Sequence, residues 1–265
     1  MKRLGSLVLV LSGVAGCSML LDIRGQKCLE REDCPDGLVC NPTTGECGPT
    51  NFCDTRPGAT FCQSFDDASS LLGWDRVINE SALSLDSIAQ SPPSALHIVV
   101  PPSQECLYAR FDKVHSPGAW TVARFELAFR LGSGFERAYI AQLIARGMAG
   151  FEYCTLFLRI SNGGVSQVLE QNKPLDGRGF YNASTDIPVT FFGERWVRAA
   201  VEMTLGESPH YSFSVEEGTP VIEEAMHSDC AGVATEIETN PGVHYHCDEQ
   251  TTELWIDDMV VELRP

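Results

Sequence analysis

Two adjacent aspartate pairs, Asp66-Asp67 and Asp257-Asp258, are the side chains of this sequence best suited to do chemistry together. Should the segments that carry them lie side by side, four carboxylates converge. Like charges that close require a cation or bound protons. Calcium fits such a place, taking six to eight oxygen ligands at ~2.3–2.6 Å. One carboxylate from each pair, Asp67 and Asp257, joined by backbone carbonyls, is the candidate set, and a structural Ca2+ is the one cofactor the sequence suggests. The plainer expectation is that alternate residues of the pairs face solvent or cap turns. Glu216-Glu217 and Glu223-Glu224 are adjacent as well, so on a strand each pair points to opposite faces. His244-Tyr245-His246 has a zinc-compatible H-x-H spacing. Beside Cys247 it reads instead as an exposed loop closed by a disulfide. There is no G-x-S-x-G nucleophile elbow.

The N-terminus sets the compartment in which that chemistry would occur. Met1-Lys2-Arg3 is basic, Leu4 to Val14 is almost wholly apolar, and Val14-Ala15-Gly16-Cys17 ends the run with small residues and a cysteine. The run is shorter than the ~20 residues a membrane span needs and matches the apolar core of a signal peptide. The ending resembles the lipobox of bacterial lipoproteins. That resemblance implies removal of residues 1–16, a diacylglycerol on Cys17 and a tether over 17–27. Burial of acyl chains at ~0.8 kcal/mol per CH2 would then hold the chain to a membrane. Ser18 after the cysteine implies, by the enteric version of the family, sorting to the outer membrane of a bacterium.

The cysteine count agrees with export. Setting Cys17 aside leaves Cys28, Cys34, Cys40, Cys47, Cys53, Cys62, Cys106, Cys154, Cys230 and Cys247, an even number. Outside the cytoplasm such a set reads as a disulfide framework whose connectivity sequence does not fix. The expected pairing is two bridges among Cys28, Cys34, Cys40 and Cys47, then Cys53 with Cys62. By elimination, Cys106 pairs with Cys154 and Cys230 with Cys247. Six of the ten crowd into residues 28–62, which marks a separate disulfide-rich module. Its pattern, C-x5-C-P-D-G-x-x-C-x6-C with turn-rich Pro35-Asp36-Gly37 and Asn41-Pro42, resembles short Dickkopf-type cysteine-rich modules over about twenty residues. A segment that small needs cross-links in place of a core. Zinc would favour CxxC pairs, and none is present.

Charge excludes some partners. The chain carries 19 basic and 36 acidic residues, net −17. Loss of Lys2 and Arg3 with the signal takes it from −17 to −19. So acidic a surface argues against nucleic acid and against anionic lipid beyond the anchor.

Residues 63–265 must supply the framework for any site. Short β-rich runs alternate with turn residues throughout: Leu96 to Val100, Leu107 to Phe111, Trp120 to Leu131, Tyr153 to Ile160, Leu254 to Leu263. Trp196 to Met203 alternates cleanly with period two, and Asn162-Gly163-Gly164 is a hairpin signal. Residues 139–148 read as a strand or a short helix. Ten to twelve such strands predict an all-β antiparallel sandwich or barrel. Phe65-Asp66-Asp67, Trp74, Ser91-Pro92-Pro93, Trp196-Val197 and Trp255-Ile256-Asp257-Asp258, in that order, resemble the landmarks of concanavalin A-like lectin/glucanase (laminin G-like) jelly rolls. The resemblance implies terminal strands side by side and, in some sugar-binding members, a calcium between the ends. Asn172 to Thr190 stands out as long and turn-rich, and Cys230 to Cys247 as an insertion.

Glucanases of that group place an acid/base and a nucleophile on one strand as E-x-D-x-x-E. No such motif occurs; Glu253-x-x-x-Asp257-Asp258 has the wrong spacing. The expectation is therefore a non-enzymatic envelope lipoprotein whose jelly roll binds a glycan or matrix polysaccharide. A structural or protein-interaction module is the second reading, and a glycoside hydrolase of unrecognised type the third. Tyr139, Tyr153, Tyr181, Tyr211 and Tyr245, with Trp74, Trp120, Trp196 and Trp255, are candidate sugar-stacking rings, most of the tryptophans being expected in the core; no ligand-binding residue can be singled out.

Overall fold

The computed structural model describes residues 38–41, 46–49, 51–66, 68–91, 93–103, 105–216, 218–246 and 250–265. The signal segment, Cys17, the tether, Cys28, Cys34, Asp67 and Cys247 lie outside them. The chain divides into two compact units between Thr50 and Asn51. In the first, β1 (Leu38–Asn41) pairs antiparallel with β2 (Glu46–Pro49), and Cys40 stands opposite Cys47 in the register.

The second unit is a jelly-roll sandwich of two antiparallel sheets. Its strands are β3 (Phe61–Gln63), β4 (Arg76–Ile78), β5 (Leu83–Asp86), β6 (Ala95–Val100), β7 (Leu107–His115), β8 (Val122–Leu131), β9 (Arg137–Arg146) and β10 (Phe151–Ser161). They continue with β11 (Ser166–Pro174), β12 (Tyr181–Ile187), β13 (Trp196–Thr204), β14 (His210–Val215), β15 (Ile222–Ala225), β16 (Glu236–His246) and β17 (Thr252–Arg264). One sheet of seven strands runs β12-β11-β10-β9-β16-β7-β4. The other, of eight, runs β15-β14-β13-β8-β17-β6-β5, with β3 added to β17.

Period two explains the layers. Along β8, Phe125, Leu127, Phe129 and Leu131 are buried between the sheets, and along β7 Ala109 and Phe111 meet them from the other side. Full burial of each such side chain is worth ~1.5–3 kcal/mol, so the sandwich interior holds the sheets face to face. The hairpin signal is realised: β10 turns into β11 through Asn162-Gly163-Gly164, with Gly163 at φ 66°. That positive φ suits glycine, which has no Cβ to clash.

The terminal strands lie side by side as the resemblance implies, Cys62 opposite Val260. The stretch from Asn51 to Cys62, expected with the cysteine-rich module, is thereby part of the larger unit. Cys53 is bonded to Cys62 as expected. Cys154 is bonded to Cys230, not to Cys106, and so Cys230 does not pair with Cys247. The reason is topological. Cys154 points inward from β10, fully buried, and the turn Ser228–Cys230 packs against that strand rather than reaching forward along the chain. Cys106 is disulfide-bonded as well.

Residues 139–148 resolve in favour of the strand reading, through β9, and two other segments depart from the sequence expectations. The turn-rich stretch after Asn172 contains the edge strand β12. The segment between Cys230 and Cys247 is no insertion: β16 lies in the interior of the seven-stranded sheet, between β9 and β7.

Candidate active site on the seven-stranded sheet

The outward face of the seven-stranded sheet forms an open groove of about 690 Å3. Alternation builds it. Residues between the core-facing ones project outward: Arg110 and Asp112 from β7, Gln142 and Arg146 from β9, Tyr153, Thr155 and Phe157 from β10, Glu236 and Glu238 from β16. Register sets them in rows. Arg76 of β4 stands opposite Asp112. Asn240 stands opposite Gln142, which stands opposite Phe157. Glu236 stands opposite Arg146, which stands opposite Tyr153.

A bulge completes the set. The register of β16 shifts after Pro241, and Gly242 adopts φ 129°. A Cβ at Gly242 would lie 2.4 Å from the carbonyl oxygen of Ala109, so only glycine lets β16 approach β7 here. The shift brings His244 alongside Arg110.

The floor is a hydrogen-bonded network. Asn240 Nδ2 donates both to Asp112 Oδ1 at 2.6 Å and to Glu238 Oε1 at 2.9 Å. Two carboxylates from different strands are thus held to one amide nitrogen. Arg110 Nε lies 2.9 Å from Asp112 Oδ1, and Arg76 Nε donates to Asp112 Oδ2. Arg146 Nη2 donates to Glu238 Oε2 at 2.9 Å and the same guanidinium stacks on Tyr153. Arg110 lies over Tyr108. The Thr155 hydroxyl, fully buried at the groove floor, has no hydrogen-bond partner, and neither does Asn240 Oδ1.

His244 serves that network as a neutral ring. Arg110 Nη1 donates to its Nδ1 at 2.8 Å, and an arginine has no acceptor to offer in return. Nδ1 therefore carries the lone pair, and Nε2 carries the proton donated to the Asn240 carbonyl at 3.0 Å. Burial, together with the Arg110 charge, pulls the imidazole down to about 3. His246 is buried likewise, with Nε2 donating to the Gln250 carbonyl and Nδ1 accepting from Thr252. The exposed loop expected for His244 and His246 is instead a buried strand, and both nitrogens of each ring are occupied.

The residues first considered for a metal lie elsewhere. Asp257 Oδ2 accepts the backbone N–H groups of Gln90 and Ser91, and its Oδ1 accepts that of Asp258. Donors point where a calcium ion would need lone pairs, so Asp257 does not fit the expected ligand. Burial, and then the neighbouring Asp258 charge, raise Asp257 to about 7 against the pull of those three N–H groups. Asp258 pairs with Arg198 at 2.6 Å. Asp66 accepts from Asn51 and Ser64. Among the described residues, no three His, Cys, Asp or Glu side chains cluster as metal ligands.

Of the candidate rings, Tyr153 lines the groove. Tyr211 is buried and donates to Thr185, and Trp255 is buried against His97 and Arg130. Asp112, Glu238 and Asn240 were missed because no single strand bears a recognisable motif. The available signal was the alternation Glu236-x-Glu238-x-Asn240, hidden in a segment that Pro241-Gly242 made look unlike a strand.

No protein-family model matches the chain, and no curated protein matches it. Solved structures do. An endo-beta-1,4-glucuronan lyase from the fungus Trichoderma reesei matches with a TM-score of 0.57 at 17% identity, covering 78% of this chain and 96% of that one. A carbohydrate esterase from Shiga toxin-encoding bacteriophage phi24B matches with a TM-score of 0.53 at 11% identity, covering 78% and 99%. A Crh5 transglycosylase matches with a TM-score of 0.52 at 11% identity, covering 76% and 83%. At such identities the likeness is one of fold, and it agrees with the concanavalin A-like jelly roll.

One expectation is overturned. The chain was expected not to be an enzyme because E-x-D-x-x-E is missing from any one strand. These three matching structures are a lyase, an esterase and a transglycosylase, so the fold is one that this chain shares with enzymes. Here paired carboxylates come from two strands, which a single-strand motif does not detect.

Proposed function

We propose that the protein is a glycan-cleaving enzyme whose groove on the seven-stranded sheet binds a polysaccharide chain. The observation that carries this reading is the Asp112–Asn240–Glu238 bridge in the floor of an open groove flanked by Tyr108, Tyr153 and Phe157. The bridged oxygens can be no farther apart than the two contacts to Nδ2 laid end to end. That ceiling keeps the two carboxyl groups within the range of the ~5–5.5 Å pairs in which one group protonates a leaving oxygen while the other attacks or stabilises the sugar. Glu238, the more accessible of the pair, is the acid/base candidate, and Asp112 its partner. Aromatic rings beside them offer stacking faces to pyranose rings. The glycan-acting proteins that share the fold support the same reading.

Cutting can be measured on a panel of neutral and uronate-containing polysaccharides, following new reducing ends and the ultraviolet absorbance of unsaturated products. At least one polymer should be cut. Glu238→Gln and Asp112→Asn should each lower turnover by about 100-fold or more with the melting temperature retained. A panel left wholly intact, or undiminished cutting by folded Glu238→Gln, overturns the reading.

The same proposal puts the enzyme at a bacterial envelope, with mature chains starting at an acylated Cys17. The basic-apolar-cysteine order of residues 1–17 supports this, as do oxidised Cys53–Cys62 and Cys154–Cys230. Mass spectrometry of the N-terminal peptide from the native host should find lipid on Cys17; an intact Met1 would refute the placement.

A further inference from the structure

Resting on the reading of the groove as a glycan site, we propose that its ligand is an acidic polysaccharide whose sugar carboxylates are gripped by Arg76 and Arg146. Both arginines are anchored to protein carboxylates and keep part of the guanidinium open. Arg76 binds Asp112 through Nε, and Arg146 binds Glu238 through Nη2 with its Nε 3.4 Å from Glu236. Neither Nη of Arg76 has a partner among the described residues, and Nη1 of Arg146 has none. The exposures run the right way. Arg76 is 60% and Arg146 34% exposed, while Asp112 is 3% and Glu238 10% exposed. The groove therefore shows donors to solvent and keeps these acceptors beneath them.

Guanidinium presents five N–H donors in a rigid fork that matches a carboxylate in two-point contact. Anchoring by a carboxylate below fixes the fork before ligand arrives, which lowers the ordering cost of binding. An arginine kept only for structure has its edges used, as Arg198 does: Nη1 reaches Glu126 and the Asp258 carbonyl, and Nη2 reaches Asp258 Oδ2. Two more carboxylates line the groove, and each faces a cation, Lys113 at 3.6 Å for Asp75 and Arg146 itself at 3.4 Å for Glu236. The unpartnered Thr155 hydroxyl in the floor adds a buried group awaiting a polar ligand atom. With a net charge of −17, the rest of the surface repels an anionic polymer, so these forks also confine it to the groove.

Calorimetric titration of oligosaccharides from polygalacturonate and from alginate, each beside its carboxyl-reduced form, tests this. The acidic form of at least one should bind about ten-fold or more tightly than its reduced form, as expected for charge-assisted hydrogen bonds. Arg76→Ala and Arg146→Ala should each weaken the acidic ligand by about ten-fold and leave the reduced one unchanged. Arg146→Lys keeps the charge without the fork and should recover only part of the loss. Equal or tighter binding of the reduced form overturns the acidic assignment while leaving the glycan groove standing. Acidic binding untouched by both alanine variants overturns it as well. If neither form binds, the groove reading falls together with it.

Discussion

Both outward faces of the sandwich carry arginines paired to buried carboxylates, yet only one face is finished. On the eight-stranded sheet, Glu126 takes Arg56, Arg124 and Arg198, and Arg198 also takes Asp258 beneath the ring of Phe52. That network closes on itself. On the seven-stranded sheet, Asp112 and Glu238 are equally well held, but the guanidiniums above them have open edges and Thr155 has no partner. Similar ion pairs therefore do different work. A complete network has little left to offer a ligand, and an incomplete one marks where a ligand belongs.

The contrast breaks most readily at Arg198. Arg198→Ala leaves Asp258 and Glu126 with buried charge that has lost a partner, which should cost about 3–5 kcal/mol. Arg76→Ala removes an arginine that is itself largely exposed and leaves the buried Asp112 still held by Arg110 and Asn240, so it should cost about 1 kcal/mol or less. Chemical denaturation of both variants measures the difference. Equal costs would mean that the two faces are not distinct in kind.

Titration sharpens it, because the faces respond to pH in opposite directions. Asp257, on the eight-stranded side, sits near 7 when folded against 3.8 for an ordinary carboxyl. Between about pH 4 and about pH 7 the folded chain keeps a proton that the unfolded chain has released, so this contribution to stability falls as pH rises. His244 in the groove floor is held at about 3, and His115 in the same sheet at about 4 by its burial and then by Lys113, against an ordinary 6.5. For both, the unfolded chain binds the extra proton, so their contribution rises with pH up to about 6.5. In the parent these slopes partly cancel. Asp257→Asn removes only the falling one. Its stability relative to the parent should improve steadily from pH 4 to pH 7, and melting curves across that range check the sign. A relative stability that stays flat or declines would show that Asp257 is ionised throughout.

The same two faces differ in how legible they were. Trp196 to Met203 announces β13 through period two and Leu254 to Leu263 announces β17 as a β-rich run, and both lie in the eight-stranded sheet. The jelly roll and the meeting of its terminal strands follow from runs of that kind. The groove was hidden in β16, where Pro241 lacks an N–H for the ladder and Gly242 weakens strand propensity. A bulge accommodates both, and local sequence does not announce the close approach to Ala109 that makes glycine necessary. Asp112 and Glu238 stand far apart in sequence, and only the order of strands joins them through Asn240. Asp257 stood out by its adjacency to Asp258, but the backbone donors that occupy it come from Gln90 and Ser91, distant in sequence.

The smallest effect is the sharpest discriminator, since its sign differs between the faces. Thr155 buries a hydroxyl without a partner, and a desolvated, unpaired polar group is a net cost to folding. Valine has nearly the same shape and keeps the β-branch that suits a strand. Thr155→Val should therefore stabilise the fold by about 1 kcal/mol while weakening glycan binding or turnover. Ser91 is the counterpart on the finished face, its hydroxyl bonded to Asp258 Oδ1. Ser91→Ala should destabilise by about 1 kcal/mol and leave binding unchanged. Should Thr155→Val instead lower stability with binding intact, its hydroxyl would already be satisfied within the folded chain, and the groove would lose one of its marks of incompleteness.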